Sequence, residues 1–209
     1  MLGLLSSTTL STTLSSQTYV GVKGSWSVPF NRPHEIKYDD AQDFFIFRLG
    51  FIEQDFTPTV SVVTYYRNDI IYLQGELGYR RAKTRFNFDN LIDLENIISS
   101  TAEKTTHSLD IPLIAGVRLE RFKLGVGPTF SVILAENELF SEVEFFEERR
   151  NTVEAGFGFQ FGVVLDRLHI DLNYQYRFNG VADYLYWRSA IQGFSDPVQY
   201  LDLGLIFLF

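Results

Sequence analysis

The sequence predicts an all-β fold in which one chain closes into an eight-stranded, antiparallel, up-and-down barrel. Three observations lead to this prediction. Apolar and polar residues alternate with period two in many segments, tight and long connections take turns along the chain, and aromatic residues make up 16% of the 209 residues. Aromatic side chains favour strands. No linker or internal repeat separates a second domain, so a single domain is expected.

Eight segments show the alternation, and each is long enough to cross a bilayer as a tilted strand of about 9–11 residues. Residues 168–178 are the clearest case, because LHIDLNYQYRF places an apolar residue at every second position. The predicted strands are residues 18–28, 57–67, 70–83, 106–119, 122–135, 151–165, 168–179 and 198–209.

The connections between these segments also alternate. Tight turns are predicted around Asn68-Asp69, Glu120-Arg121 and Asp166-Arg167, and long loops at 29–56, 84–105, 136–150 and 180–197. Three short turns on one rim and four long loops on the other are typical of outer-membrane barrels, with short periplasmic turns and long extracellular loops. An even number of strands places both termini in the periplasm. Segment 44–52 is assigned to the first loop, as a strand extending above the membrane, and residues 88–100 could form a short amphipathic helix.

Alternation alone does not distinguish a membrane barrel from a soluble, lipocalin-like barrel, which remains a less favoured alternative. Glycine residues lie mainly on the polar face, where small residues suit a narrow interior, and aromatic residues lie at the ends of the apolar face, as in the girdles of membrane barrels. The glycines are Gly21, Gly78, Gly116, Gly125, Gly127, Gly156, Gly158, Gly162 and Gly204. The aromatic residues are Trp26, Tyr66, Tyr79, Tyr174, Tyr176, Phe178, Phe207 and Phe209.

The chain ends in DLGLIFLF, which resembles the assembly signal of outer-membrane proteins. The matching positions are Asp202, Gly204, Phe207 and Phe209. This ending predicts outer-membrane lipid and the barrel assembly machinery as partners. At the other end, residues 1–16 are interpreted as a signal peptide or its remnant, with a disordered tail as the alternative, and residues 17–209 as the barrel.

Four segments resemble the small outer-membrane β-barrel family of Bacteroidota that includes the PorT-like proteins. They are YVGVKGSWS at 19–27, IYLQGELGYRR at 71–81, LDIPLIAGVRL at 109–119 and LGVGPTFSVIL at 124–134. The resemblance implies the barrel fold and a place in the outer membrane. It implies no particular activity, because members of one fold serve different roles.

The polar face carries ionisable residues that are expected to meet in the lumen. The expected network consists of Lys23, Glu76, Arg80, Asp110, Arg118, Lys123, Glu154, Asp171 and Arg177, with Arg67 and Asp202 on the same face. The interior of an eight-stranded barrel is just wide enough to be filled by side chains, and buried charges require partners. Ion pairs that fill the lumen are therefore expected, with a narrow conduction path or a proton relay as the alternative.

No catalytic residue, cofactor-binding residue or metal ligand is predicted. His34, His107 and His169 are dispersed, the chain has no Cys, and phosphate-binding, zinc and calcium motifs are absent from the sequence. A net charge of −8 argues against nucleic acid as a partner. The sequence thus favours a non-enzymatic integral barrel that is structural or part of an envelope complex for secretion or assembly. A lipid-modifying enzyme and a small porin-like channel are the alternatives.

Two of the long loops are candidates for contact with a protein partner. Six Glu residues lie between positions 136 and 148 in the third loop. They could bind divalent cations, but a solvated acidic surface is the favoured interpretation. Tyr184, Tyr186 and Trp187 in the fourth loop could pack on the barrel rim or sit among the lipid headgroups, which together are favoured. They are also the candidate partner contact, since binding groups concentrate on loops held by a rigid scaffold.

Overall fold

The computed structural model describes residues 16–31, 36–39, 45–90, 98–137, 146–149, 151–178, 184–187, 190–193 and 197–209. The strands in this part of the chain are β1 (Ser16–Pro29), β2 (Ile36–Asp39), β3 (Phe45–Gln54), β4 (Thr57–Asn68), β5 (Ile71–Asn90), β6 (Ile98–Leu119), β7 (Phe122–Glu136), β8 (Phe146–Arg149), β9 (Val153–Leu165), β10 (Leu168–Arg177), β11 (Tyr184–Trp187), β12 (Ala190–Gly193) and β13 (Val198–Leu208). No helix in these residues is long and apolar enough to cross a membrane. The predicted signal segment, apart from Ser16, lies outside the described residues.

Eight of these strands close a ring. The order around the ring is β1, β4, β5, β6, β7, β9, β10 and β13, and each strand pairs antiparallel with the next. Strand β13 then pairs with β1, where Ser25 lies opposite Gly204, and this pairing closes the barrel. The eight-stranded up-and-down barrel predicted from the sequence is confirmed.

Three two-residue hairpin loops join strands of the ring at one end of the barrel, here called the short-turn end. The first residue of each loop has a positive φ, which is 44° at Asp69, 54° at Glu120 and 57° at Asp166. Asp adopts this left-handed conformation more readily than most residues, so two of the three loops use a suitable residue. Strand β1 also begins at this end, because Ser16 pairs with Asn68.

Strands β2 and β3 extend the sheet beyond the other end of the ring, here called the long-connection end. Strand β3 pairs with the outer part of β5, from Gln54 opposite Thr84 to Phe47 opposite Asn90, and with β2 on its other side. Only the inner part of β5 pairs with β4. Segment 44–52 therefore adds a strand above the ring, as expected, and does not add a ninth crossing.

The second predicted loop, 84–105, is largely strand. Strands β5 and β6 continue as a paired ribbon from Thr84 opposite Lys104 to Asn90 opposite Ile98. The loop prediction is wrong for 84–90 and 98–105, and the helix prediction is wrong at 88–90 and 98–100, while 91–97 lie outside the described residues. The sequence pattern does not predict strands in this ribbon. Polar residues such as Lys83, Arg85 and Glu103 occupy positions where a half-buried strand has apolar residues.

The third and fourth long loops meet in a small sheet. Strand β11 of the fourth loop pairs with β12 on one side and with β8 of the third loop on the other. The sequence indicates both loops as candidate partner contacts without predicting that they pair, and their backbones form one sheet with the order β12-β11-β8.

The outer face of the ring is apolar and the inner face is polar, as a barrel embedded in a membrane requires. Large apolar side chains such as Val60, Leu124 and Phe159 point outward and are exposed, and polar side chains such as Lys123 and Asp171 point inward and are buried. A soluble barrel has the opposite arrangement. A continuous apolar outer surface is suited to contact with lipid, so the soluble-barrel alternative does not fit this fold.

Candidate functional site: the charged lumen

The lumen of the barrel contains two groups of paired charges. The lysine cluster consists of Lys23, Gln74, Glu76, Lys123, Asp171 and Asp202, and it lies towards the short-turn end. The arginine cluster consists of Arg80, Asp110, Glu154 and Arg177, and it lies towards the long-connection end. Inward-facing positions on strands around the ring supply all of these residues, as the period-two alternation of side chains along a strand leads one to expect.

Lys23 on β1 is held by two carboxylates, one on the adjacent strand β13 and one on β5, beyond β4. Its Nζ lies 3.0 Å from Glu76 Oε2 and 3.5 Å from Asp202 Oδ1. Asp202 in turn accepts hydrogen bonds from Ser27 Oγ at 3.0 Å and from Asn173 Nδ2 at 2.9 Å. The cation therefore has its counter-charges, and one of the carboxylates is fixed by neutral donors.

Lys123 and Asp171 form the most deeply buried ion pair of the lysine cluster. Both carboxylate oxygens of Asp171 lie 2.9 Å from Lys123 Nζ, and both side chains are 0% exposed. Gln74 joins this pair to the Lys23 pair, because its Oε1 accepts from Lys123 at 2.8 Å and its Nε2 donates to Glu76 at 2.6 Å. A buried charge is tolerated only when it is paired and hydrogen-bonded, and this arrangement meets both conditions.

The arginine cluster is built around Asp110. Arg80 Nε lies 3.2 Å from Asp110 Oδ2, and Arg177 Nη2 lies 3.5 Å from the same oxygen. Arg177 also donates to Glu154 through Nη1 at 2.7 Å. Both guanidinium groups lie over the ring of Tyr200, at 5.4 Å and 5.0 Å from its centre, which adds cation–π attraction.

An apolar group seals the lumen at the short-turn end, and the sequence analysis did not predict it. Its members are Val63, Tyr65, Tyr72, Ile114, Ile206 and Leu208. His169 packs edge-on against Tyr65, with ring centres 5.0 Å apart. The end of β13 indicates this apolar group in the sequence. LIFLF is apolar on both faces of the strand, so its inward side cannot be polar.

The spaces inside the barrel are small. A cavity beside Asp110 and Arg177 and another beside Lys23 and Glu76 each have a volume of about 10 Å³. A volume of this size accommodates about one water molecule. The lumen around the two clusters is thus filled by side chains, as the small diameter of an eight-stranded barrel leads one to expect.

Glycines on the inner face make room for the buried lysines. A Cβ added at Gly204 would lie 2.5 Å from Lys23 Cε, and one added at Gly162 would lie 2.5 Å from Lys123 Cε. Real Cβ contacts are not this close, so the absence of side chains at these positions allows each lysine to cross the lumen. The enrichment of glycine on the polar face therefore has a steric cause.

A family model described as outer membrane protein beta-barrel domain matches residues 16–184. The chain belongs to this family. This outer-membrane barrel is also similar to the crystal structure of Neisserial surface protein A (NspA), with 16% sequence identity and a TM-score of 0.44 over 93% of this chain and 99% of that chain. A search of curated proteins found no match.

Most of the residues expected in the network of this outer-membrane barrel lie in the two clusters. They are Lys23, Glu76, Lys123 and Asp171 in the first and Arg80, Asp110, Glu154 and Arg177 in the second. Arg118 lies outside both clusters at the short-turn end, where it donates through Nε to the carbonyl of Glu120 at 3.0 Å. Arg67 also lies at that end and donates to Gln17 at 2.6 Å. The sequence did not predict that Gln74 belongs to the network, because an uncharged polar residue on a polar face does not by itself indicate a buried hydrogen bond to a charged group.

The four residues of the expected assembly signal divide between the two faces of β13. Asp202 and Gly204 point into the lumen, where the first is part of the lysine cluster and the second accommodates Lys23. Phe207 and Phe209 point outward, and their rings meet edge-on with centres 5.6 Å apart. Two of the four residues in the predicted signal thus have a structural role in the folded barrel, and the signal itself stays a prediction.

The residues expected to contact a partner lie on β11, the middle strand of the small sheet formed by the third and fourth loops. In the backbone register of this sheet, Tyr186 lies opposite Ile191 of β12 and opposite Glu147 of β8.

The histidines are far apart in the barrel. His169 is buried in the lumen, 3.4 Å from Lys123 Nζ, and His107 lies 2.5 Å from the Tyr79 hydroxyl at the outer surface of β6. His34 lies outside the described residues. Within the described part of the chain, no group of three or more His, Asp or Glu side chains is arranged to hold a metal ion.

Proposed function

We propose that this outer-membrane barrel is a non-enzymatic, closed scaffold that serves a structural role or forms part of an envelope complex. One observation carries the proposal. The lumen is occupied by paired charges and by an apolar group at the short-turn end, and the cavities beside the charges hold about 10 Å³ each. A lumen filled in this way leaves little room for solutes to pass. It makes the barrel a rigid scaffold on which loops and neighbouring molecules can be held.

Conductance of the purified protein in planar bilayers tests the closed lumen. We expect no large or stable single-channel currents from barrels whose folding is verified by heat-modifiable migration on gels. The triple variant Tyr65→Ala, Tyr72→Ala, Leu208→Ala removes the apolar seal and serves as a matched control that should raise the leak. Large, stable currents from the natural sequence would overturn the proposal in favour of the channel.

We propose that both termini face the periplasm and that the long-connection end faces the cell exterior. The short turns and long connections support this orientation. The chain has no Cys, so a single introduced thiol can be labelled without background. In intact cells, a membrane-impermeant maleimide should label Thr101→Cys on β6 but not Arg167→Cys in the short turn, and the opposite result would reverse the orientation.

We propose that the sheet of β8, β11 and β12 is the contact for a protein partner. Two loops combine to form this sheet, which supports a defined surface. Purification from native membranes in mild detergent should recover a stoichiometric partner, and replacement of Tyr184, Tyr186 and Trp187 by Ser should abolish its recovery. Replacement of Thr101 by Ser, outside this sheet, is the control. A lone barrel that alters the acyl pattern of lipid A would favour the enzyme.

We propose, from the resemblance of segments 19–27, 71–81, 109–119 and 124–134, that the chain belongs to the PorT-like group of Bacteroidota barrels and that residues 1–16 are a signal peptide. Sequencing the N-terminus of the protein purified from the outer membrane tests the cleavage. A mature chain beginning near Gln17 is expected, and an intact Met1 would contradict it.

A further inference from the structure

Strand β5 carries an outward-facing row of cations just beyond the apolar band of the barrel. Arg81, Lys83 and Arg85 alternate with inward-facing residues and so share the outer face. Among the side chains that the structure describes, these three are the outward-facing cations at the long-connection end. An anionic lipid that binds this rim at a fixed position would therefore find its positive counter-charges on β5.

The three cations differ in what they already bind. Lys83 donates to Glu103 at 2.7 Å, and Arg85 pairs with Glu53 and lies 3.7 Å from Asp55. Arg81 is exposed, and among the described residues it is held by no hydrogen bond or salt bridge; Glu103, which already accepts from Lys83, acts on it only through longer-range electrostatic attraction. Its guanidinium group is the one in this row that remains available for a ligand.

The surroundings of Arg81 are those of a lipid headgroup region. On the side of the apolar band, Tyr79 is exposed on the same face and its hydroxyl lies 2.5 Å from His107 Nδ1. Phe56, at the junction of β3 and β4, is 75% exposed. Aromatic side chains with polar ends concentrate at the membrane–water interface, and an Arg placed just above them matches the level of lipid phosphates.

An apolar groove lies deeper in the membrane on the same outer face. It has a volume of about 380 Å³ and is lined by Tyr66, Leu73, Gly75, Leu113 and Ala115. Gly75 and Ala115 are the smallest residues of this lining. Gly75 is six positions from Arg81 on β5, which is roughly 20 Å along the strand and roughly 15 Å along the membrane normal for a tilted strand. This depth is about the thickness of one hydrocarbon leaflet.

We propose that the outer face of β5 and β6 binds one anionic lipid of the leaflet at the long-connection end, with Arg81 as the phosphate ligand and the groove at Gly75 as the seat of an acyl chain. Arg presents a fork of donors that matches phosphate oxygens in a bidentate geometry. The carboxylates that neutralise Lys83 and Arg85 leave Arg81 to select the headgroup. This inference requires only insertion in the membrane and is independent of the closed-lumen and partner proposals.

Native mass spectrometry of the full chain in detergent micelles tests this site, with dioleoyl phosphatidic acid as the probe and dioleoyl phosphatidylcholine as the zwitterionic comparison. The natural sequence should retain one phosphatidic acid in preference to phosphatidylcholine. Arg81→Gln should weaken this binding about tenfold or more, and Arg81→Lys should restore part of it. Arg121→Gln, which removes an exposed charge at the opposite rim, should leave it unchanged.

The groove has its own matched pair of variants. Gly75→Leu should lower the affinity for phosphatidic acid several-fold, whereas Gly24→Leu, at a lipid-facing glycine with open space around it, should not. Glycerol 3-phosphate at the same concentration should fail to compete, because it lacks an acyl chain. Unchanged binding in Arg81→Gln, or an equal loss in Arg121→Gln, would overturn the site, and effective competition by glycerol 3-phosphate would overturn the role of the groove.

Discussion

Each of the two buried lysines in the lysine cluster has a glycine beside its side chain on the adjacent strand. The lysine side chains are long, and an eight-stranded barrel is narrow, so the missing side chain of the glycine gives the lysine room. Gly204 and Gly162 provide this room for Lys23 and Lys123 respectively. Charge pairing and steric room are therefore coupled, and changing the glycine should disturb the ion pair.

Gly204→Ala should destabilise the folded barrel by about 1–3 kcal/mol, the range for overpacking a filled interior. The added methyl would displace Lys23 from its carboxylates or shift β13. Gly24→Ala is the matched control, because it lies on the outer face of the adjacent strand with nothing within 4 Å of the added atom. Urea unfolding in detergent micelles measures both, and equal stability of the two variants would contradict the steric argument.

Lys123 and Asp171 should behave as one unit. Asp171→Leu leaves a buried cation without its counter-charge, and we expect a loss of about 3–5 kcal/mol. Lys123→Met leaves the carboxylate and should cost a similar amount. The double variant should lose clearly less than the sum of the single variants, because neither charge remains. Additive losses in the same urea unfolding measurement would show that the pair is not coupled.

The individual lumen charges were predictable from the sequence, but their partners were not. Alternation fixes which face a residue occupies, so Lys23 and Asp171 could be placed inside without a structure. Pairing depends on the stagger between strands, which alternation does not determine. Arg118 shares the polar face but lies two residues before the turn at Glu120, and therefore at the short-turn end rather than in a cluster. The apolar group around Tyr65 and Tyr72 was missed because it interrupts the polar face only near that end.

At the scale of elements, the ribbon formed by the outer parts of β5 and β6 is supported by cross-strand charge pairs. Lys83 lies directly opposite Thr105 in the register, and its amine reaches Glu103 on the same strand as that threonine. Opposite charges on neighbouring strands stabilise a sheet modestly when they are exposed. The outward positions of this ribbon carry charged residues, whereas Phe86 on its inner side is buried, so its outer face lacks the apolar stripe by which a membrane-crossing strand is recognised.

The hydrogen bond from Lys83 holds the pKa of Glu103 below its ordinary value. A carboxyl group with a lowered pKa in the folded state adds stability above its unfolded pKa of about 4 and loses that contribution as the pH falls through the lower folded value. Carboxyl ¹³C NMR should give a titration midpoint for Glu103 below that of a model peptide. Lys83→Met should raise the midpoint, and an unchanged midpoint would contradict the hydrogen bond.

The closing strand β13 contributes side chains to the folded lumen, so its predicted role in assembly must be tested with a substitution that leaves the lumen intact. Phe209→Ala keeps the backbone hydrogen bond from Phe209 N to the Val20 carbonyl at 2.8 Å and removes only an outward-facing ring. We expect strongly reduced assembly in cells with little loss of stability once the barrel is refolded. Phe130→Ala, an outward-facing Phe away from the terminus, should assemble normally on heat-modifiability gels. Normal assembly of Phe209→Ala would remove the argument for a C-terminal signal.

At the scale of the whole molecule, the eight-stranded ring was predictable because membrane insertion imposes the same alternation on every crossing strand. No comparable constraint acts above the membrane, so the extension by β2 and β3, the β5–β6 ribbon and the sheet of β8, β11 and β12 depend on pairings between distant segments. The sequence accordingly predicts the strands that face lipid, whereas the strand pairings beyond the membrane become known only from the structure.

Contact with lipid over the whole outer surface can be tested at two depths on one strand. Leu172, near the middle of β10, is 42% exposed, and Phe178, just beyond its end at the long-connection rim, is 56% exposed. If the outer face contacts lipid, Leu172→Arg should destabilise the barrel by about 2–4 kcal/mol and Phe178→Arg by about 0–1 kcal/mol, because the penalty for a charge falls from the bilayer midplane to its interface. In water both exposed positions would accept Arg at little cost. Reversible urea unfolding in phospholipid vesicles measures the two values, and equal, small effects would show that this face is not buried in a membrane.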